Sequence, residues 1–514
     1  MKKIIYSFLA LALLLTTAGC ADMLDLKSPD QLTEDKFYRD EKDALSSLAY
    51  AYAQVDGPDS WAYSEVKFPV EEFHTDLVET GSDVANYIDW QQLFNLTNTN
   101  ANTQTGSYWE RAYLGILCAN QTIAGTKRVP EGKIDEGVRK NIISEARFLR
   151  AYYHLVLQMN WRQIIIRDVP TVASNIDKNL ATRAESWKFI IDELNDCADG
   201  LLDAQPASHA GRVTKNAAYA YLGFALVNKA YETETGDYVA SPNATTLAEA
   251  ITALDKVTGV SLNPDFISMF DGTGENSSES IFERQFSAST DNGFWVITRH
   301  HQWLRTAPLG GWDEIRPSQF AYDQLTKEKN GAEYDKRAYA TMLFSCDYYN
   351  NPATFPYTKG KNDTFDKVFK EEKRTPVSSF RKYLPSTRAE LDMDILGTNV
   401  PLMRYANVLL LKAEALAQTG RGAEAIAIVD NIRSVHGGMP ATTEKDAMKA
   451  IEHERIMEFT LENSRFFDLR RWGKLSSLDI MSEDKTTIVR KFDSSKNLYF
   501  PIPVKETNSN TAIK

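Results

Sequence analysis

The chain has 514 residues, 43% of them hydrophobic and 25% charged, which is enough apolar material for a large buried core. Its formal net charge is −12 and no basic footprint interrupts the acidic balance, which excludes nucleic acid as a partner. Its four cysteines show no CxxC spacing, which argues against a disulfide framework and a thiolate metal site, and Cys118, Cys197 and Cys346 read as small buried hydrophobes.

In chain order, Lys2 and Lys3 precede an apolar run of twelve residues from Ile4 to Leu15, followed by small residues and Cys20. A spanning helix needs about 20 apolar residues, so this run is the apolar core of a secretory signal over residues 1–19. Thr17-Ala18-Gly19-Cys20 resembles the lipobox of bacterial lipoproteins, which implies a diacylglycerol on the Cys20 thiol and a further acyl chain, such as palmitate, on its freed amine. Two or more chains make a durable anchor where one holds only marginally. With the signal removed, Lys2 and Lys3 go with it, and 56 basic residues face 70 acidic ones for a formal charge of −14.

Residues 20–32, with Pro29 and scattered charges, read as an extended tether. Glu34 and Asp35 suit a helix N-terminus, so a first helix is expected from about Thr33 to Gln54. Helical spacing recurs at Ala146, Leu149, Tyr153 and Val156, at Tyr219, Leu222 and Leu226, and at Leu247, Ala250, Leu254 and Val257. Met403, Ala406, Leu410, Ala413 and Ala417, then Gly420 and Gly422, then Ala425, Ile428, Ile432 and Val435 predict a helical hairpin ended by His436-Gly437-Gly438. Such hairpins look like tetratricopeptide units, each burying its apolar face against a neighbour. Residues 33–514 are therefore read as one mainly all-α body, a tetratricopeptide-like helical-hairpin scaffold. Between about 260 and 400 the pattern changes to Gly, Pro, Asn, Asp and aromatics, and this loop-rich stretch is the expected binding region.

Three segments together resemble the SusD/RagB family of nutrient-binding outer-membrane lipoproteins: Glu145-Ala146-Arg147-Phe148-Leu149-Arg150-Ala151-Tyr152-Tyr153, the run from Met403-Arg404-Tyr405 to Ala413-Glu414-Ala415, and the run from Glu454-Arg455 through Glu458-Phe459 and Glu462 to Arg465-Phe466-Phe467-Asp468-Leu469-Arg470-Arg471-Trp472-Gly473. The resemblance implies a SusD-like body docked on a TonB-dependent porin of the SusC type, at the outer membrane and facing the exterior. It also implies capture of oligosaccharides, or in the RagB branch peptides, for delivery to that porin. A purely structural tetratricopeptide scaffold is a third reading. The chain departs from the family pattern at Asn160-Trp161-Arg162 and in the tail after Leu498-Tyr499-Phe500-Pro501-Ile502-Pro503.

Sugar binding needs flat apolar platforms for the C–H face of a pyranose, with polar groups around them, and Trp and Tyr supply such area at low entropic cost. Trp295, Trp303 and Trp312 lie close together in the loop-rich region, beside Arg299, His300, His301 and Arg305. Asn86, Tyr87 and Trp90 form the second candidate cluster: the resemblance implies a glycan-contacting aromatic in the loop after the region matching Glu71-Glu72 to Asp76, of which Trp90 is the nearest equivalent, and Trp61 is a weaker third. Trp109, Trp187 and Trp472 sit in helical patterns and are assigned to core. The charged and aromatic segment from Glu454 to Trp472 reads as scaffold: Arg465 and Asp468 are i,i+3 neighbours, and Glu458 and Glu462 share a face.

Enzymatic readings find no foothold. No Asp or Glu pair stands out as a glycosidase acid and base. His300-His301 is adjacent rather than i,i+4, and His453-Glu454 lacks the second histidine of a zinc motif. Gly272-Thr273-Gly274 lacks the continuation of a phosphate loop, and Asp392-Met393-Asp394 lacks the later ligands of a calcium loop. No catalytic residue, metal or cofactor is therefore expected.

Overall fold

The apolar spacing around Leu149 belongs to a helix, Glu136–Asn160, which begins where the Asp135 carboxylate accepts hydrogen bonds from the amides of Gly137 and Val138. Ala146, Leu149 and Tyr153 are buried on its inner face, as their spacing requires. The structure is a computed structural model, and it describes residues 37–55, 67–288, 298–360, 362–481 and 488–513.

Long helices follow one another in space in the order of the chain. Thr103–Arg128, Glu136–Asn160, Arg183–Ala198, Lys215–Ala230, Ala244–Leu254, Tyr405–Gln418, Gly422–Ile432 and Ala447–Phe459 each pack against the next, and Glu41–Tyr52 packs on the first two. This is the tetratricopeptide-like scaffold expected from the sequence. The expected first helix is shorter than its pattern suggested, Glu41–Tyr52, because Asp40 takes an extended conformation and caps it by accepting from the Asp43 amide. Residues 33–36 lie outside the described residues.

Two further boundaries differ from expectation. Met403 belongs to a strand, Val400–Arg404, paired antiparallel with Ser280–Arg284 and facing Phe282. Pro401 has no amide hydrogen and disfavours helical backbone before it, so the Tyr405–Gln418 helix starts only after the strand. The second helix of that hairpin, Gly422–Ile432, runs into a π-helical turn over Arg433–Gly437, which Gly438 ends at φ +64°. Ala406, Leu410, Ala413, Ala425 and Ile432 form a small core of their own with Ile451 and Phe459.

The region from about 260 to 400 is built of short helices and two-stranded antiparallel pairs, among them Lys329–Asn330 with Glu333–Tyr334 and Met342–Phe344 with Ser378–Phe380. What joins it to the helical body is a buried ion network. Arg404 donates to Glu279 at 2.6 Å, to Glu458 at 3.2 Å and to Glu462 at 2.8 Å, and Arg337 bonds Asp335 and Glu458, both at 2.7 Å, together with Glu454. Glu458 and Glu462 therefore do face one partner. Arg465 and Asp468, i,i+3 neighbours on one helix, do not pair with each other: Arg465 makes two 2.8 Å bonds to Asp76, and Asp468 accepts from Arg455 at 2.7 Å and Arg471 at 2.8 Å. The chain breaks at Leu461 and Asn463, both at positive φ, which turns Arg465 away toward the N-terminal half.

Trp109 and Trp187 are buried as expected, whereas Trp472 is half-buried, as is Cys346. The tail returns to the N-terminal half. Phe500 bridges Trp161 and donates its amide to Asn160 O at 2.9 Å, the Trp161 indole donates to Pro501 O at 3.2 Å, and the Asn510 side chain donates to Lys178 O at 2.9 Å.

Candidate ligand-binding site

Two segments more than 200 residues apart in sequence are held together by a short strand pair, in which Val78, Glu79 and Thr80 face Pro317, Arg316 and Ile315. Just beyond it the Gly81 amide donates to Glu314 O at 2.8 Å. A Cβ at position 81 would stand 1.8 Å from Asp313 O, so this approach requires glycine. Asp313 takes a left-handed φ of +59°, and its carboxylate accepts from the Ser82 hydroxyl at 2.7 Å, the Ser82 amide at 3.2 Å and the Arg316 guanidinium. Aspartate tolerates that backbone better than most residues, and its side-chain bonds hold it there.

From this neck the chain makes a 3₁₀ turn over Asp83–Asn86 and then the helix Ile88–Phe94. The Gln91 side chain pins the turn by donating to Ala85 O at 2.9 Å and Val84 O at 3.1 Å. On the other segment the helix His300–Leu304 carries Trp303, and Trp312 follows, its amide donating to Gln302 O at 2.9 Å. Trp90 and Trp303 meet with ring centroids 4.0 Å apart, and Phe73 stands 5.3 Å from one and 5.9 Å from the other.

The two clusters singled out in the sequence therefore meet at Trp90 and Trp303, but not with the orientation expected of each ring. Trp90 and Trp303 are only 2% and 1% exposed. Each turns its ring toward the other and toward Phe73, so they support the surface rather than present a face to a ligand. The solvent-facing edge belongs to Tyr87, 40% exposed and 6.1 Å from Trp90, and to Ile88, 65% exposed. Asn86 is exposed beside them, its amide donating to Asp83 at 2.7 Å, and Trp312 is half-buried. Trp295, Trp61 and Cys20 lie outside the described residues. Arg299 pairs with Asp394 at 3.0 Å, while His300, His301 and Arg305 are buried, His301 bonding Met393 O at 2.8 Å, so these groups are structural.

The sequence reading missed a carboxyl pair beneath this edge. Glu314 is buried, and burial followed by the adjacent Asp83 carboxylate pushes its pKa up to about 9. Burial and the same two acids also push the Tyr87 phenol upward. Glu314 next to Asp313 and Trp312 was visible as residues, but only the strand register brings it against Asp83.

Among the described residues one group of ligand-type side chains, Glu279, His436 and Glu458, lies close enough to hold a metal ion. Its atoms are already committed: the two His436 ring nitrogens bond one oxygen each of Glu458 and Glu279, both at 2.9 Å, and Arg404 takes the other oxygen of each carboxylate. Burial opposes the His436 charge, but Glu458 and Glu279 outweigh it and raise the pKa to about 9, so an imidazolium fills the place of a cation.

Residues 278–514 match the family model described as the SusD family, and residues 22–226 match a second SusD-like model described as starch-binding and associating with the outer membrane. The chain belongs to the SusD family. It is 25% identical to SusD-like protein P2 of Formosa agariphila, with 99% of this chain and 98% of that one aligned. A SusD superfamily protein from Bacteroides vulgatus superposes with a TM-score of 0.77 at 23% identity, over 93% of this chain and 99% of that one. Surface glycan-binding protein A from Bacteroides thetaiotaomicron, solved in complex with laminarihexaose, superposes with a TM-score of 0.68 at 20% identity, over 92% of this chain and 98% of that one. These structural likenesses establish the SusD fold. Two of the solved structures that share this fold are named for glycan binding, a laminarin-binding SusD-like protein and surface glycan-binding protein A.

Proposed function

We propose that this SusD family protein is a cell-surface receptor that captures oligosaccharides and passes them to a TonB-dependent porin of the SusC type, held at the outer membrane by lipid on Cys20. The observation that carries the ligand assignment is the exposed Tyr87–Ile88 edge, braced from below by the Trp90–Trp303–Phe73 cluster and bordered by Asn86 and Asp83, with the half-buried Trp312 following on the segment that carries Trp303. A rigid aromatic edge with amide and carboxylate neighbours suits a pyranose, whose C–H face packs on a ring while its hydroxyls need hydrogen bonds. Relatives named for laminarin and surface-glycan binding support the same class of ligand.

Calorimetry with laminarihexaose first, then a panel of oligosaccharides and a peptide pool, tests the reading. Tyr87→Ala and Trp312→Ala should each weaken glycan affinity about tenfold, equivalent to about 1.4 kcal/mol. Unchanged affinity in both variants would sink the site, and binding of peptides alone would overturn the ligand class. Cys20→Ala should release the protein from the membrane with glycan affinity intact.

A further inference from the structure

A second cleft, of about 390 Å3, is lined by residues between 264 and 381 and by His436, and shares no residue with the Tyr87 site. Its volume is that of a small-molecule site, about 300–1,000 Å3. Four tyrosines line it: Tyr334, Tyr339, Tyr348 and Tyr349. Tyr348, 39% exposed, lies with its ring centroid 4.5 Å from that of Tyr339 and tilted by 33°, so the two rings are roughly face to face. Tyr339 is locked in place: its hydroxyl accepts from the Tyr334 amide at 3.1 Å and donates to Glu333 at 2.9 Å, and its carbonyl accepts from the Tyr349 hydroxyl. Two bonds to one hydroxyl fix a ring far better than packing alone.

The charges of this cleft are unevenly satisfied. Glu333 is engaged by Tyr339, and Asp265 sits at the exposed rim. Arg381, half-buried, makes one side-chain hydrogen bond, to the Tyr357 hydroxyl at 3.1 Å, and among the described residues neither Arg381 nor Lys336 has a carboxylate within ion-pairing distance. Of the buried ion groups around it, Arg337, Arg404 and His436 are paired, whereas the Asp271 carboxylate attracts Arg381 from a distance while its own bonds go to Thr273, leaving the guanidinium donors unspent. A guanidinium partly withdrawn from water with donors unspent calls for an anion, and its planar fork matches a carboxylate.

We propose that this cleft is a second glycan site that takes an acidic sugar, a uronate, with its ring against Tyr348 and its carboxylate on Arg381. The glycan part rests on the function proposed above, and the demand for an anion does not. A polymer reaching both clefts would gain avidity from the second contact.

The test is titration of the intact protein with glucuronate, galacturonate and mannuronate and with the three corresponding neutral hexoses, by saturation-transfer NMR at low and high salt. At least one uronate should bind about tenfold more tightly than its neutral parent, with the preference shrinking at high salt. Arg381→Gln should abolish that preference, Tyr348→Ala should weaken uronate binding about tenfold, and Tyr87→Ala should leave the preference in place. Equal binding of acid and neutral sugars by the unaltered protein, or a preference that survives in both folded variants, overturns the proposal. Neutral sugars lost on Tyr87→Ala with no uronate preference would leave the first reading standing and remove this one, whereas no sugar bound anywhere would remove both. Tyr348 is exposed, so its variant carries the test even where Arg381→Gln fails to fold.

Discussion

Glu314 shows how a single residue can set the behaviour of the proposed binding edge. Its carboxyl is held protonated at neutral pH by burial and by Asp83, at about 9 against an ordinary 4.5. A carboxyl that binds its proton more tightly when folded stabilises the native state fully below 4.5, and that contribution is lost as pH rises through about 9. Glu314→Gln removes the titration while keeping the shape. Urea midpoints measured at pH 6 and pH 9 should therefore fall on alkalinisation in the parent protein and change less in the variant, and an equal fall in both would show that Glu314 is not the titrating group. At the same scale, the candidate rings were legible as residues and not as roles. Trp90 and Trp303 were identifiable from loop context and local tryptophan density, but whether a ring faces solvent or another ring depends on a contact across more than 200 residues.

Among elements, the network around Arg404 and Arg337 ties the Val400–Arg404 strand and the Ala447–Phe459 helix to the short-element region. Against the cost of its burial, His436, Arg337 and Arg404 hold the Glu458 carboxyl well below its usual range. Glu458→Ala leaves those three cations short of a counter-charge, so a loss of about 3–5 kcal/mol in urea unfolding is expected. His436 adds an alkaline limit: with its pKa raised from 6.5 to about 9, its stabilisation is complete below 6.5 and fades as pH passes about 9. Supplying zinc at neutral pH should not raise the melting temperature, because the imidazolium already occupies the cluster. Helices were the most legible elements, since the faces of Leu149 and Leu410 follow from spacing alone. The strand at Met403 was not, because five residues of extended chain before a helix can carry a helical period by chance and only pairing with Phe282 reveals them. The Arg465 to Asp76 bond was equally hidden, because local i,i+3 spacing competes with a partner brought in by the fold.

For the whole molecule, the helical stack follows from repeated apolar faces, and the order of three motif segments anticipated the SusD fold. The closure of the stack did not follow from pattern, because the tail has no periodic face and works through isolated bonds such as Phe500 to Asn160 and Asn510 to Lys178. Removing residues 498–514 would uncover Trp161, which is fully buried, and strip the partner from its indole. Burial of a large aromatic is worth about 3–5 kcal/mol, so the truncated protein should melt several degrees lower and bind a hydrophobic dye that the full chain does not. An unchanged melting temperature would mean that the tail is ornamental.

That tail also sets a timetable. The Trp161 indole waits for Pro501 across 340 residues and Lys178 waits for Asn510 across 332, so these contacts form only after nearly all of the chain is available. Contacts so distant in sequence form slowly, and larger chains pass through intermediates with apolar surface exposed. The helices on either side of Trp161 can form early, but the Trp161 ring lacks its cover until Phe500 and Pro501 arrive. Completion of this fold therefore waits on residues 500–510, and the interval before they dock is when the chain is most vulnerable to aggregation and proteolysis.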